Sequence, residues 1–232
     1  ADSSLRVSVD YYTIKITDVL ASISANEVLR RYFVLNDQSL AQFLTFDATS
    51  PVGVSKIGIP LLNLNSQRSR GLDIGLNYRF ASLFHLPGSL SVSSNATRAY
   101  QLETFDAVGR SLGQLAGTAA GVQEWKWTTN LSYELEKLSV SMNVRHFSDF
   151  KYRFDLTGPE DPGYNPANAL TINKNHFPGA FYYGLGANYR VDDNFTVYGT
   201  VDNLFDKAPP WGAWLVLGSD YAYLGRYFKV GL

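Results

Sequence analysis

The twelve-residue stretch EWKWTTNLSYEL, residues 124–135, divides into two chemically different halves when every second residue is read. One half is Trp125, Trp127, Thr129, Leu131, Tyr133 and Leu135, and the other is Glu124, Lys126, Thr128, Asn130, Ser132 and Glu134. Because successive side chains of a β-strand point to opposite faces, the alternation predicts a strand with one apolar and one polar face. Aromatic residues at both ends of the apolar face are typical of strands that cross a bilayer, where amphipathic rings lie at the headgroup level.

The same alternation returns along the chain and predicts eight strands in total. The other seven lie in LRVSVDYY, GLDIGLNYRF, GSLSVSSNAT, KLSVSMNVRHF, FYYGLGANYRV, NFTVYGTVDNLF and GRYFKVGL. Their second face consists mainly of Ser, Asn, Thr, Gly and charged residues. A dry core made from that face would contain many unpaired polar groups, each costing about 1–3 kcal/mol. The polar face therefore suits a wet lumen, and the apolar face suits lipid.

The connections between these strands alternate between short and long. The short ones are 134–137 and 190–194, with 81–89 a somewhat longer member of the same class, and the long ones are 17–62, 103–122, 152–179 and 204–221. In the first long segment, Ser24 and Glu27 fit a capping box before the apolar run VLRRYFVL, which predicts a short helix. Short turns at one end and long loops at the other are typical of outer-membrane barrels. The predicted fold is all-β: an antiparallel transmembrane β-barrel segment with short periplasmic turns and long extracellular loops.

Composition excludes several classes of function. The formal net charge of −1 gives no electrostatic basis for nucleic-acid binding. The absence of Cys from the 232 residues excludes disulfides and thiolate metal sites. No apolar run approaches the roughly 18 residues of a membrane-spanning helix. The first residues, ADSSLRVSVDYY, contain neither an initiator Met nor a secretory apolar region, so we expect a processed chain or a fragment of a longer one.

Four stretches resemble strands of TonB-dependent outer-membrane receptors. QRSRGLDIGLNYRF (67–80) resembles the strand with their Arg-Gly-Leu/Val-Asp/Glu signature, and VSVDYYTIKITDVL (7–20) resembles the strand before it. TVYGTVDNLFDKAPP (196–210) and YLGRYFKVGL (223–232) are similar to their last two strands. The element Asn203-Leu204-Phe205-Asp206 is the most specific of these features. The order and spacing of the four stretches also match those of the family's strands, so the resemblance covers essentially the whole chain.

The resemblance implies a function that the residues alone do not show. Such receptors enclose an N-terminal plug in a barrel of about 22 strands. Residues 1–232 then correspond to the C-terminal portion of the barrel, its last eight strands, without the plug or the N-terminal box that binds TonB. The family's usual terminal aromatic residue is also missing, because the chain stops at Leu232.

The implied activity of the parent protein is energy-coupled uptake of a nutrient across the outer membrane of a Gram-negative bacterium. A siderophore, a cobalamin, haem and an oligosaccharide all remain open as the ligand. The implied partners are outer-membrane lipid, the plug, the remaining barrel strands and TonB. Two alternatives also remain open: a free-standing eight-stranded barrel with a structural or adhesive role, and a soluble β-protein.

The sequence predicts no catalytic residue, no metal site and no cofactor. His85, His146 and His176 lack ligand spacing and are expected to be ordinary interfacial or solvated histidines. An outer-membrane lipase would need a Ser–His–acid triad, and His146 with Ser148 has no evident acid partner.

Ligand-binding residues are predicted on the long loops and at the outer rim. The loop KAPPWGAWLVLGSDYAY (207–223) carries Trp211, Trp214 and Tyr221, and large rigid aromatics concentrate binding energy. Tyr152 and Arg153 are added because the strand running through RHFSDFKYRFD (145–155) is expected to continue outward to them. That strand is also expected to place Arg145, Asp149, Lys151 and Arg153 on the lumen side, either beside the ligand path or in salt bridges.

Overall fold

The computed structural model of the chain describes residues 3–22, 24–50, 53–59, 61–80, 87–106, 109–210 and 220–232. Thirteen strands lie within these ranges: β1 (Ser4–Ser22), β2 (Leu44–Phe46), β3 (Val54–Ile57), β4 (Leu61–Phe80), β5 (Ser89–Phe105), β6 (Ser111–Gln114), β7 (Trp125–Leu135), β8 (Leu138–Phe147), β9 (Phe150–Lys151), β10 (His176–Phe177), β11 (Ala180–Arg190), β12 (Thr196–Asp202) and β13 (Tyr227–Gly231). The helix α1 spans Ala25–Leu29 and continues as a π-helical turn over Arg30–Val34, and a 3-10 helix covers Gln38–Phe43. Among the described residues, no helix is long and apolar enough to cross a membrane.

Eight long strands form one antiparallel sheet in the order β1-β4-β5-β7-β8-β11-β12-β13, with the short β6 added beside β5. The eight-strand, up-and-down prediction is therefore confirmed. We call the end with the tight turns, such as 136–137 between β7 and β8, the turn end, and the opposite end the loop end. Over the described residues β1 pairs with β4 and β13 with β12, and the two do not pair with each other, so the sheet is open.

The two faces of the sheet match the alternation in the sequence. Leu131 lies between Val92 and Met142 on the neighbouring strands. Its neighbour Asn130 points to the other face, where the Asn143 amide nitrogen donates to the Asn130 side-chain oxygen at 2.7 Å. The face of Leu131 is apolar across the sheet and largely exposed, as the 63% exposure of Leu5 illustrates. An apolar outer face and a polar inner face define the wall of a transmembrane barrel.

Aromatic rings lie at both ends of the apolar face, as expected. At the loop end, Trp127, His146 and Phe181 form a cluster in which the His146 and Phe181 rings stack with centroids 4.1 Å apart. At the turn end, the Tyr78 and Phe80 rings meet edge to face at 4.0 Å. Along β7, Trp125 and Trp127 lie at the loop end and Tyr133 at the turn end.

The first long loop is shorter than predicted because the strands on either side of it continue past the apolar band. β1 extends to Ser22 and β4 begins at Leu61, so the first loop covers 23–60 rather than 17–62. In this extension Lys15 faces Arg68 and Thr17 faces Ser66, and the same register resumes at Val19 beyond Asp18, whose φ is 56°. Backbone hydrogen bonds hold the pairing there, and no apolar alternation is needed once one face no longer meets lipid. The loops are called loop 1 (23–60), loop 2 (106–124), loop 3 (148–179) and loop 4 (203–226).

The expected outward continuation of β8 is wrong. β8 ends at Phe147, and Phe150–Lys151 forms the separate strand β9, which pairs with β10 instead of the main sheet. The Ser148 hydroxyl accepts a hydrogen bond from the Trp125 amide at 3.2 Å, where a ladder partner would otherwise lie. Lys151 and Arg153 therefore belong to loop 3 and not to the lumen side of a barrel strand.

Only the Ser24 half of the predicted capping box is seen among the described residues, because the Glu27 carboxylate bonds to Arg30, and the helix is short. The Glu27 amide donates to the Ser24 hydroxyl at 3.2 Å and starts α1. A small core then holds loop 1 together, with the buried residues Val28, Leu40, Leu44 and Val54. The apolar run VLRRYFVL thus begins as an α-helix and ends in a π-helical turn, and loop 1 closes with the β2–β3 hairpin.

Gly71 explains one signature of the resemblance. A β-bulge separates the pair Arg70–Gln101 from the pair Gly71–Ala99. The Tyr12 ring covers Gly71, and a Cβ added there would lie in contact with the Tyr12 hydroxyl and 2.7 Å from the Arg98 carbonyl oxygen. The position therefore requires a residue without a side chain.

The Asn203-Leu204-Phe205-Asp206 element forms a tight turn that ends β12. Asn203 and Asp206 both have a left-handed φ of 50°, a conformation in which Asn and Asp are enriched. The buried Asn203 side chain accepts from the Lys207 amide at 2.9 Å and donates to the Lys207 carbonyl at 3.0 Å. The Asp206 carboxylate accepts from the Arg226 amide at 2.7 Å, which ties the turn to the chain just before β13.

Candidate functional site

The loops at the loop end are joined to one another by ion pairs. Arg153 of loop 3 contacts Glu27 of α1 at 3.4 Å, and Arg30, at the start of the π-helical turn after α1, contacts Asp155 of loop 3 at 3.3 Å. Arg30 also pairs with Glu27 at 2.6 Å, and Arg153 with Asp155 at 2.7 Å. The Glu27 hydrogen bond raises the pKa of the Arg30 guanidinium, so the group stays charged. Two Arg and two acidic residues therefore connect loop 1 to loop 3.

A second set of ion pairs joins loop 1 to loop 2. The Arg31 guanidinium is 2.8 Å from the Asp37 carboxylate and 3.7 Å from that of Asp106. Arg110 pairs with Asp106 at 2.8 Å and lies 4.0 Å from Asp37. Loop 4 has its own connection to the sheet, because Lys126 of β7 lies 2.7 Å from Asp220.

Asp161 organises the interior of loop 3. Its carboxylate accepts from the Gly158 amide at 2.8 Å and from Lys151 at 2.7 Å, and His176 Nε2 lies 2.8 Å away. Hydrogen bonds to the carboxylate hold the pKa of Asp161 well below its usual range. The bond from the Gly158 N–H has the largest effect, and those from Lys151 and His176 have smaller effects. Asp161 is therefore ionised at neutral pH, and it joins the β9–β10 pair to the 158–161 turn.

Asn175 also stabilises the interior of loop 3. It is fully buried, and its side chain donates to the Leu156 carbonyl at 2.7 Å and accepts from the Arg153 amide at 3.1 Å. Both halves of the amide are thus used to position backbone on either side of the Arg153–Asp155 pair. Loop 3 is therefore held in place by its own hydrogen bonds, and long loops without internal structure are uncommon.

An aromatic cluster fixes loops 3 and 4 on top of the sheet. Its buried members are Phe147, Phe150, Phe177, Ala180, Tyr182 and Tyr221. Phe150 and Phe177 stack with ring centroids 5.4 Å apart, and Tyr221 meets Phe147 edge to face at 5.0 Å. On the inner side, the Arg145 guanidinium lies 5.7 Å above the Tyr182 ring.

The structure brings together three of the five predicted ligand-binding residues, and Trp211 and Trp214 lie outside the described residues. Tyr221 is buried in the aromatic cluster, and its hydroxyl donates to the Pro178 carbonyl. Tyr152 packs against the same cluster, and Arg153 sits in the ion pairs with Asp155 and Glu27. Their role in ligand binding remains a prediction, and their visible role is to hold loops 1, 3 and 4 together.

Sequence reasoning missed Asp161, Asn175 and the pairing of Arg30 with Asp155. The segment GPEDPGYNP (158–166) contains two acids, but nothing in its spacing shows which carboxylate will be enclosed. The Glu27–Arg30 spacing of three residues in a helix was the one available signal, since residues at i and i+3 are neighbours there.

Of the histidines that the structure describes, His176 is paired with Asp161 inside loop 3, and His146 lies at the loop end of β8. His146 Nδ1 is 3.2 Å from the Ala180 carbonyl oxygen and its ring faces Phe181, while Ser148 bonds to the Trp125 amide. His85 lies outside the described residues. No group of three or more His, Cys, Asp or Glu side chains suited to a metal occurs in the part of the chain that the structure describes.

An antiparallel, lipid-facing sheet with tight turns at one end and built loops at the other defines a segment of an outer-membrane-type β-barrel wall. The chain belongs to the TonB-dependent receptor-like β-barrel family, whose model matches residues 1–204. Members of this family are receptors and transporters, not enzymes. No curated protein sequence matches the chain.

Solved structures show the same fold. A variant of the ferric enterobactin receptor PfeA from Pseudomonas aeruginosa, in complex with enterobactin, has a TM-score of 0.57 and 16% identity, and the match covers 97% of this chain and 28% of that one. The siderophore receptor PirA from Acinetobacter baumannii has a TM-score of 0.56 and 13% identity, with coverages of 97% and 29%. The FrpB iron transporter from Neisseria meningitidis has a TM-score of 0.53 and 14% identity, with coverages of 99% and 29%. The chain thus spans less than a third of the length of these structures.

Proposed function

We propose that residues 1–232 form the C-terminal portion of the barrel of a TonB-dependent receptor, which takes up a nutrient across the outer membrane of a Gram-negative bacterium. The family match over 1–204 carries this proposal. The plug, the other strands and the TonB-binding box would belong to other parts of the parent chain. The open sheet supports the receptor over a free-standing eight-stranded barrel, which would close by pairing β1 with β13.

The proposed nutrient is a ferric siderophore, ahead of a cobalamin, haem or an oligosaccharide. Support comes from the fold neighbours, which include an enterobactin receptor, a siderophore receptor and an iron transporter. The loop end would face the exterior, where ligand is selected. Loops 1 to 3, held by ion pairs, would present a preformed surface, and a preformed surface loses less entropy when it binds.

The proposed ligand contacts are Trp211, Trp214, Tyr221, Tyr152 and Arg153. The test is single alanine replacement of each in the full-length receptor, with binding of labelled ferric siderophore measured on whole iron-starved cells. We expect each loop variant to lose siderophore binding. The control variant Asp193→Ala, at the exposed 190–194 turn, should bind the siderophore as the wild type does. If the turn change weakens binding as much as the loop changes, the proposed orientation is wrong.

The uptake function itself is tested by deleting the gene for the parent chain. Under iron limitation the deletion strain should lose growth on the cognate siderophore and regain it with the intact gene. Growth on cobalamin, haem or an oligosaccharide as the required nutrient is measured in parallel. Selective loss on one of those three would replace the siderophore as the ligand, and no loss on any nutrient would contradict the uptake proposal.

A further inference from the structure

A pocket lies on the inner, polar face of the sheet at the turn end, where β1 begins and β4 ends. Its volume is about 340 Å³, and the inner-face side chains that line it are Ser4, Arg6, Asn77, Arg79 and Ser91. The register places Arg79 between Ser4 of β1 and Ser91 of β5, and Ser91 beside Ser132 of β7. Ser132 lies on the same face as Asn130, so these side chains belong to the polar face. We call this cavity the turn-end pocket.

Two arginines on neighbouring strands supply the charge of the turn-end pocket. Arg6 of β1 is in register with Asn77, and Arg79 lies two residues further along β4, so the two arginines are diagonal neighbours on one face. Diagonal neighbours are roughly 7–8 Å apart, a distance that long side chains span. Both arginines are exposed. Their guanidinium groups can therefore converge on one point in the pocket.

The described protein does not neutralise these two charges. Over the described residues, neither Arg6 nor Arg79 forms an ion pair with a carboxylate. On the inner face of the same two strands, the nearest acids are Asp10 and Asp73, each roughly 13 Å or more along its strand at about 3.3 Å per residue. Glu134 of β7 lies two strands away from Arg79. Like charges at this spacing repel each other, and an anion between them would turn the repulsion into attraction.

The hydrogen-bond donors around the two arginines suit an oxyanion. Each guanidinium presents parallel N–H groups in a planar fork that matches a carboxylate or a phosphate. The Ser4 and Ser91 hydroxyls and the Asn77 amide add neutral donors beside the forks. Among the described residues that line the pocket, none is acidic, so a metal cation or an amine would find no charged ligand there. The lining therefore selects negative charge.

We propose that the turn-end pocket binds an oxyanion, a carboxylate or phosphate group held between Arg6 and Arg79. The inference rests on the proposed function for its setting, because the inner face at the turn end would then be the periplasmic mouth of the receptor interior. The oxyanion comes from one of two sources with the same chemistry: a free anion of the periplasm, or an Asp or Glu side chain elsewhere in the parent chain. The site is distinct from the proposed nutrient contacts, which lie at the loop end.

The test measures how fast the arginine reagent phenylglyoxal modifies Arg6 and Arg79 in the full-length receptor in detergent, with mass spectrometry of the peptides. Arg190 is the matched reference, because it is exposed on the same face at the turn end of β11 and does not line the pocket. A free oxyanion predicts that inorganic phosphate slows modification of Arg6 and Arg79 and leaves Arg190 unchanged. The slowing should be roughly tenfold when phosphate is at about ten times its dissociation constant.

A carboxylate of the parent chain gives a different pattern in the same experiment. Arg6 and Arg79 should then react more slowly than Arg190 already in phosphate-free buffer, and complete amidation of carboxylates with a carbodiimide and glycinamide should remove the difference. Two outcomes would overturn the proposal. One is equal reaction of all three arginines with and without phosphate. The other is slow reaction of Arg6 and Arg79 that neither phosphate nor complete amidation changes, which indicates simple shielding.

Variants provide the second measurement. If the source is a free anion, isothermal titration with phosphate should give binding to the wild type and to Arg190→Gln and none to Arg6→Gln/Arg79→Gln. If the source is a carboxylate, the double variant should unfold at a lower urea concentration than Arg190→Gln does. Heat-modifiable migration on gels checks folding, and Arg6→Gln alone replaces a double variant that does not fold. Siderophore binding is measured on the same samples, so that failure of the pocket and failure of the uptake proposal give different results.

Discussion

Arg153 lies 3.4 Å from Glu27, although 126 residues separate the two in the chain. The contact places loop 3 against helix α1 of loop 1, and the Arg30–Asp155 pair repeats the connection in the opposite sense of charge. Half-buried pairs of this kind contribute modestly to stability, yet they fix the relative position of two loops. All variants described are made in the full-length receptor.

Removing the ion pairs between loops 1 and 3 should loosen both loops without unfolding the barrel. For Asp155→Asn we expect faster amide hydrogen exchange in 25–34 and 152–156 and a loss of stability below about 1 kcal/mol. Hydrogen-exchange mass spectrometry measures the first and urea unfolding the second. Glu160→Gln, an exposed acid of loop 3, is the control and should leave both quantities unchanged. Identical exchange in Asp155→Asn and wild type would show that the pairs do not hold the loops.

Charge on the outer face should be much more costly than charge on the inner face. Leu131→Arg should destabilise the barrel by about 2–4 kcal/mol, because the cation would lie in hydrocarbon near the midplane. Asn130→Arg, one residue away on the polar face, should cost no more than about 1 kcal/mol, mainly from the lost bond to Asn143. Folding titrations into lipid vesicles measure both. Equal costs would indicate a packed soluble core in place of a lipid-facing sheet.

Loop 3 should loosen in acid because of Asp161. The folded-state pKa of Asp161 is lowered, so its contribution to stability is present above the unfolded value of about 3.9 and is lost as pH falls below it toward the folded pKa. Exchange of the 150–161 and 175–177 amides should therefore accelerate below about pH 4, after correction for the intrinsic pH dependence of exchange. Asp161→Asn should show the loosened loop already at pH 6. If that variant retains the acid response of the wild type, another group is responsible.

Tyr221 offers a way to separate packing from ligand contact. Burial raises the pKa of its phenol, whose hydroxyl donates to the Pro178 carbonyl. Tyr221→Phe should cost about 1 kcal/mol from the lost hydrogen bond, and Tyr221→Ala about 3–5 kcal/mol from the cavity. Thermal unfolding gives the costs and cell-binding assays give the affinity. If siderophore affinity falls in Tyr221→Phe while loop exchange is unchanged, the hydroxyl reaches the ligand directly, whereas a fall only in Tyr221→Ala indicates a packing role.

Gly71 should not tolerate a side chain. Gly71→Ala would push the new Cβ into the Tyr12 ring and to 2.7 Å from the Arg98 carbonyl oxygen, and we expect a loss of about 1–3 kcal/mol from overpacking. Gly199→Ala in β12 is the matched control, because the nearest atom to its new Cβ is Val230 Cγ1 at 3.9 Å. Urea unfolding in detergent compares the two. Equal stability of both variants would mean that Tyr12 moves aside without cost.

The strands and their two faces could be predicted from the sequence because alternation is a local property. In β7, the order Trp125, Leu131, Tyr133 indicated which face is apolar and that aromatic rings lie at both of its ends, and the register agrees with both. The N-cap at Ser24 could likewise be predicted, since the donor and the acceptor are three residues apart. The resemblance around Asn203-Leu204-Phe205-Asp206 could also be recognised from the sequence, because the turn is built from consecutive residues.

The arrangement of the loops was decided by tertiary structure. Nothing near Glu27 in the sequence indicates Arg153 as its partner. Nothing in 158–166 indicates that the Asp161 carboxylate will form hydrogen bonds with Gly158, Lys151 and His176. The end of β8 at Phe147 was also missed. The stretch after Phe147 remains rich in strand-forming residues, and only its contacts with distant parts of the chain end the strand there. Local patterns determine where a chain alternates, whereas contacts between distant loops depend on the sheet order that brings their ends together.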